Sequence, residues 1–226
     1  MNLKVKSLVL IAVVYLFASC NGSTSTESDK KDSSTTHEHT DTIAHEHTTT
    51  QSTTGNTGTD LMSVMNSMMN KMHSMKMTGD FDVNWANMMI EHHQGGIDMA
   101  QVELSQGKDE KMKSKAQEII TKQKDEQQKL KDIVSSYKSS GMKHGEGELE
   151  KHMNDMMNTM QAMKMSGDVD KDFATMMMHH HEHGIAMAAM EVKNGMNDEL
   201  KKMAQKSITD QEKDIKEFKQ WLSGKK

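Results

Sequence analysis

Proline and arginine are absent from the 226 residues, cysteine occurs once, and aromatic residues make up 4% of the chain. Each shortage excludes something. Without proline, and with few β-branched runs, a strand-rich sandwich or barrel is disfavoured. A single Cys allows neither an intramolecular disulfide nor a cysteine-based zinc site. The formal net charge is −5 and Lys is the only strong cation. Nucleic acid, which calls for a basic face, is therefore not an expected partner. The longest apolar run, Leu8 to Phe17, is too short to span a bilayer comfortably.

What fills the space is methionine and histidine, 26 and 13 residues respectively. Methionine at roughly one residue in nine is several-fold above ordinary usage. The balance points to a helical chain rich in soft donor atoms.

The first 19 residues read as an export signal: Lys4 and Lys6 precede the apolar run, which ends in Phe17-Ala18-Ser19-Cys20. Small residues before the only Cys resemble a bacterial lipobox, which implies that Cys20 becomes the lipid-anchored first residue of the mature protein. An ordinary cleaved signal with an incidental Cys is the alternative. Either way the expected location is the bacterial cell envelope, facing the periplasm or the surface, with the lipid as the only membrane contact. Residues 20–60 are rich in Ser, Thr, Asp and Glu and read as a disordered tether. Two triplets lie within it, His37-Glu38-His39 and His45-Glu46-His47. They serve either as weak divalent-ion ligands or as solvated spacer.

Residues 61–226 are expected to form one helical domain built by duplication. At an offset of 88 residues, positions 61–134 align with 149–222 without a gap, and roughly 30 of about 74 are identical. Repeat one is taken as 61–138 and repeat two as 149–222. A two-fold repeat makes a site shared between the halves geometrically natural. Each repeat reads as three helical segments. A Met-striped segment, Leu61–Lys76 or Leu149–Lys164, precedes a second helix, about Asp82–Gln106 or Asp170–Asn194. A third, amphipathic helix follows, beginning near Asp109 in repeat one and matched in repeat two. Two long helices per repeat predict an all-α four-helix bundle with an extra Met-rich helix ahead of each pair.

The candidate ligands cluster on the second helices. Met88 lies one turn before His92, and Met89 one turn before His93; Met99 continues the first stripe. Repeat two places Met176 before His180 and Met177 before His181, with Met187 two turns beyond His180. It adds His179 and His183, themselves one turn apart. Across an antiparallel pair of such helices, four imidazoles and several thioethers are expected to converge. Thioether and imidazole together select Cu(I) over Mg, Ca or Mn, and Ag(I) is expected to follow Cu(I). Cu(II) suits the His-only clusters, at His179 and His183 or on the tether. Met68, Met72, Met75 and Met77, with Met156, Met160, Met163 and Met165, are either further ligands or gap-filling core. Gln123 and Gln211, on the apolar faces of the third helices, either orient an imidazole from behind or bond to backbone.

A di-iron or di-manganese carboxylate bundle needs Glu-x-x-His on two helices. Glu91, Glu103, Glu182 and Glu191 are followed three residues later by Gln94, Gln106, Ile185 and Asn194. That chemistry is not expected, and no nucleophile triad or phosphate-binding glycine loop points to another enzyme.

The run Met88-Met89-Ile90-Glu91-His92-His93-Gln94-Gly95-Gly96-Ile97-Asp98-Met99-Ala100, followed by Gln123-Lys124-Asp125-Glu126, resembles a secreted bacterial domain-of-unknown-function family that includes CopM-type copper-binding proteins. The second repeat matches with Met176 to Ala188 and Gln211 to Ile215. The resemblance implies a ferritin-like bundle of two two-helix repeats, each with a His-His motif, and a role in copper tolerance. It carries over His92, His93, His180 and His181 as functional histidines, with Met88, Met89, Met176 and Met177 beside them. The expected function is thus an envelope copper-binding protein that buffers copper or hands it to a copper-exporting or copper-accepting protein. A Met-faced interaction module, or more remotely a copper redox enzyme, is the alternative.

Overall fold

The computed structural model describes residues 57–138 and 145–225, so the expected export signal and tether, with Cys20 and the His-Glu-His triplets, lie outside the described residues. Six helices follow in order: α1 Thr57–His73, α2 Phe81–Gln106, α3 Glu110–Ser136, α4 Glu146–Gln161, α5 Val169–Asn194 and α6 Asp198–Ser223. Among the described residues there is no strand. No described helix is long and apolar enough to cross a membrane. The all-α expectation, with a Met-rich helix ahead of each helix pair, holds.

Helix starts follow from short acidic and amide side chains. Asp80 accepts from the Val83 N–H, Asp168 from Lys171, Asp109 from Lys111 and Met112, and Asn197 from Glu199 and Leu200. Each such cap contributes about 1 kcal/mol by satisfying an otherwise orphaned amide.

Two boundaries differ from the sequence reading. α1 begins at Thr57, ahead of the expected Leu61. The Met-rich helices stop at His73 and Gln161, short of Lys76 and Lys164. Met75 and Met77 therefore lie in an extended connector, half-buried on either side of exposed Lys76; Met163 and Met165 do the same around Lys164. The physical reason lies in the turns that follow. Gly79 and Gly167 take left-handed φ values of 88° and 83°. The connectors are also tied forward, with Thr78 N–H and hydroxyl donating to Asn84 Oδ1 and Ser166 doing likewise to Asp172.

α2 with α3, and α5 with α6, form two antiparallel hairpins, and α2 packs against α5. Two buried carboxylates set the direction of that central pair. Asp82, in the first turn of α2, accepts from the Met196 and Asn197 N–H groups at 2.9 and 3.3 Å, just beyond the end of α5. Asp170, its equivalent on α5, accepts from Lys108 and Asp109 at 2.9 and 2.8 Å, just beyond the end of α2. α2 and α5 thus run antiparallel, with equivalent residues facing across a pseudo-two-fold axis. Trp85 Nε1 reinforces the pairing by donating to the Met187 carbonyl at 2.8 Å.

α1 covers α2 and α5, and α4 rests mainly on α5. Their starts are pinned alike: Gln106 donates to Asp60, while Lys193 and Asn194 hold Glu148. The core is unusually rich in thioethers. Met65, Met72, Met88, Met99, Met156, Met176, Met177 and Met187 are fully buried.

Candidate metal centre

On the pseudo-two-fold axis His92 of α2 and His180 of α5 stack, ring centroids 3.7 Å apart and planes 21° from parallel. Both are completely buried. This contact needs glycine on each helix. A Cβ at Gly96 would come within 2.9 Å of His180 Cε1, and one at Gly184 within 3.0 Å of His92 Cε1; both would also collide with the Oε1 of Gln123 or Gln211.

His180 Nε2 donates to the His92 carbonyl at 2.8 Å, leaving Nδ1 as the unprotonated nitrogen. That Nδ1 and both ring nitrogens of His92 have no hydrogen-bond partner among the described residues. Burial, followed by the neighbouring imidazoles, holds both rings well below the ordinary imidazole pKa. The pair is therefore neutral near pH 7, with lone pairs facing a dry interior.

The second histidine of each motif turns away from this pair. His93 Nε2 lies 3.1 Å from Glu126 Oε2 on α3, and His181 Nε2 lies 3.4 Å from Asp214 Oδ2 on α6. Glu126 and Asp214 are equivalent positions in the two repeats. Although burial pushes Asp214 upward, the neighbouring His181 ring and a hydrogen bond from Lys115 hold it well below the usual carboxylate range. Lys115 lies 2.6 Å from it and Lys122 3.7 Å. A carboxylate facing one ring nitrogen leaves the other as donor, the arrangement found behind metal-bound imidazoles. In His93 and His181 that other atom, Nδ1, is buried without a partner.

Between α3 and α6, His93, Gln123 and Glu126 meet His181, Gln211 and Asp214 around a polar cavity of ≈ 10 Å³. That is room for about one water-sized guest. Gln211 Nε2 donates to Ser207 at 2.6 Å, while the Oε1 atoms of Gln123 and Gln211 have no partner among the described residues. The two glutamines thus back onto Gly96 and Gly184 rather than gripping a ring or a carbonyl.

The four imidazoles lie together in one region of the bundle. They form a stacked inner pair and two outer rings, with His92 to His93 at 6.3 Å and His180 to His181 at 5.7 Å between centroids. Two successive helical residues differ by about 100° around the axis, so one of each pair faces the opposite repeat and the other its own hairpin partner. Among the described residues no three His, Cys, Asp or Glu side chains are grouped to hold a metal ion.

The candidate thioethers are close by in sequence and buried with the rings. Met88, Met89, Met99, Met176, Met177 and Met187 are each at most 2% exposed. From the covering helices, Met68, Met72, Met156 and Met160 are buried too, and a Cβ at Gly95 would strike the Met68 sulfur. Met75, Met77, Met163 and Met165 are only half-buried against the core. His179 and His183 face different neighbours: His179 Nδ1 lies 3.1 Å from Glu182, whereas His183 meets His152 of α4.

His152 was not anticipated, nor were the buried carboxyls Glu103 and Glu191. Glu103 lies beside Asp170 and Glu191 beside Asp82; burial and these neighbours raise their pKa values to about 8 and about 9. The available signal was recurrence, since Glu103 and Glu191, like Asp82 and Asp170, occupy matched positions of the two repeats.

A family of domains of unknown function (DUF305) matches residues 23–134 and again 133–222, one match to each repeat. Among solved structures the chain is similar to "CopM in the Cu(I)-bound form", at 25% identity and a TM-score of 0.49, covering 63% of this chain and 96% of that one. No curated protein matches the chain. With both halves matched by the same family, the chain belongs to the DUF305 family.

Proposed function

We propose that this protein binds copper, chiefly as Cu(I), in the thioether-rich core around the His92–His180 pair, and buffers or passes on copper for metal tolerance. One observation carries the reading: His92 and His180 are fully buried and neutral with unpartnered ring nitrogens, and each follows a fully buried methionine, Met88 or Met176, by one helical turn. Burying polar nitrogens without partners is unfavourable unless something binds them. Neutral nitrogen and soft sulfur suit a monovalent soft ion, because little charge has to be carried into a low-dielectric interior. His92 and His180 would supply nitrogen, His93 and His181 their Nδ1 atoms, and Met88, Met89, Met176 and Met177 sulfur.

The lipobox-like segment at Cys20 supports anchoring in the cell envelope, where thioethers persist and thiols are oxidised. Ag(I) is the expected surrogate. The rival reading is a methionine surface that grips a partner protein, and burial speaks against it. Among the described residues Met196 is the exposed large hydrophobic side chain, and the methionine stripes are turned inward.

The test is an anaerobic Cu(I) titration of the mature chain against a coloured chelator, with Zn(II) as control. Effective competition by the wild type, lost when His92, His93, His180 and His181 are all changed to Gln, is the expected result. Sulfur and nitrogen neighbours in X-ray absorption would accompany it. A chain that leaves the chelator saturated with copper is not a Cu(I) protein, and its methionines are then packing alone.

A further inference from the structure

The two repeats differ at a pair of facing positions. Repeat one has Val64 on α1 and Gly95 on α2; the equivalent residues of repeat two are His152 on α4 and His183 on α5. Where Gly95 leaves space for Met68 to rest on the α2 backbone, repeat two places an imidazole instead. The His152 and His183 rings meet edge to face, with centroids 5.4 Å apart and planes at 62°. Two imidazoles bound to one metal at about 2.0–2.1 Å keep centroids roughly 5–6 Å apart, so this spacing already fits a shared ion.

The donors are prepared as well as placed. His152 hydrogen-bonds to the backbone at His183. Its Nε2 is buried and has no partner among the described residues. Backbone bonding through one ring nitrogen leaves the other oriented as a metal donor. His179 stands one turn before His183, its side chain 35% exposed and facing Glu182, within reach of the same seam by a change of rotamer. Asp155, one turn after His152 on α4, is held by Lys151 at 2.8 Å at the solvent edge.

We propose that the seam between α4 and α5 is a second metal site, confined to repeat two, in which His152 and His183, joined by His179, bind a borderline divalent ion, Cu(II) foremost. Imidazoles at a half-buried seam, with water free to complete the coordination and a carboxylate nearby, favour a divalent ion rather than the soft monovalent ion of the core. The site shares α5 with the central one but none of its donors. Its bond would clasp α4, whose start is pinned to α5 through Glu148, onto the bundle along its length.

The test is hydrogen–deuterium exchange of the mature chain with and without one equivalent of Cu(II). His37, His39, His45 and His47 are first changed to Asn to silence the tether. Exchange in residues 146–161 is expected to slow at least about tenfold on adding Cu(II). The slowing should vanish in His152→Val/His183→Gly, which installs the residues of repeat one, and in the milder His152→Val alone. Electron paramagnetic resonance should lose imidazole nitrogen couplings in the same variants. Unchanged α4 exchange in the wild type, or equal slowing in the variants, overturns the proposal. The Cu(I) titration of the double variant should match the wild type, so a failure of this site and a failure of the central one are read separately.

Discussion

Glycine 96 and glycine 184 show how much a single missing atom can decide. Both lie in helix interiors, where glycine costs about 1 kcal/mol relative to alanine. The cost is accepted because a Cβ at either position would strike a glutamine and the histidine of the opposite repeat. The buried glutamates act at the same scale. In the unfolded chain Glu103 and Glu191 ionise near 4.5, but in the fold burial and the neighbouring aspartates keep them protonated to about 8 and about 9. Between those values the folded state binds more protons, so raising the pH draws the equilibrium toward unfolding. Glu191 faces Asp82, Asp80 and Lys201, and Glu103 faces Asp170, Asp109 and Lys113. The melting temperature is therefore expected to fall steadily from pH 6 to pH 9.5. Glu191→Gln, which keeps the shape without the charge, should flatten that slope and melt above wild type at pH 6 and higher, the two converging only below about pH 4.5. A slope identical to wild type would mean that Glu191 ionises normally in the fold.

Among the elements, α2 and α5 were the most legible, because capping aspartates open them, glycines close them and their duplicated motifs leave little choice of register. The Met-rich helices were less so. Methionine and lysine both favour helix, yet an alternating Met-Lys-Met run also suits an extended segment with one packed face; the left-handed glycine and the Thr78 or Ser166 tie decided for an extended connector. Whether the α2 and α5 methionines merely pack or also ligate can be separated at this scale. Changing Met88, Met89, Met176 and Met177 together to Leu conserves volume, and each such swap usually costs less than about 1.5 kcal/mol. The expected outcome is a folded, helical protein whose Cu(I) affinity falls by at least about tenfold. Retained affinity would assign those four sulfurs to the core alone and move the ligand search to Met68, Met72, Met156 and Met160.

At the scale of the whole molecule, the pseudo-two-fold axis makes each repeat depend on the other. Asp82 and Asp170 bond to the far repeat, Trp85 bonds to Met187, and the stacked imidazoles come one from each half. A fragment of residues 57–138 exposes the α2 face that α5 covers, and that face is complementary to its own equivalent. Sedimentation of this fragment is expected to show a helical dimer that dissociates and unfolds together on dilution. A monomer with full helical content and a cooperative melt would show that repeat one needs no partner.

Sequence alone determined the helical class, the duplication and the donor inventory, because these follow from periodicity, capping residues and matched spacing along one chain. It also placed Met88, His92, His93 and their counterparts on the right helices. Tertiary structure decided what those side chains face. A step of one residue turns a helical side chain through about 100°, so His92 and His180 meet on the axis while His93 and His181 turn to carboxylates on α3 and α6. It also brought together His152 and His183, and Glu191 and Asp82, pairs separated along the chain and joined only when helices pack. Spacing within a helix is local and can be read from order; contact between helices depends on rotation and approach, which order does not encode.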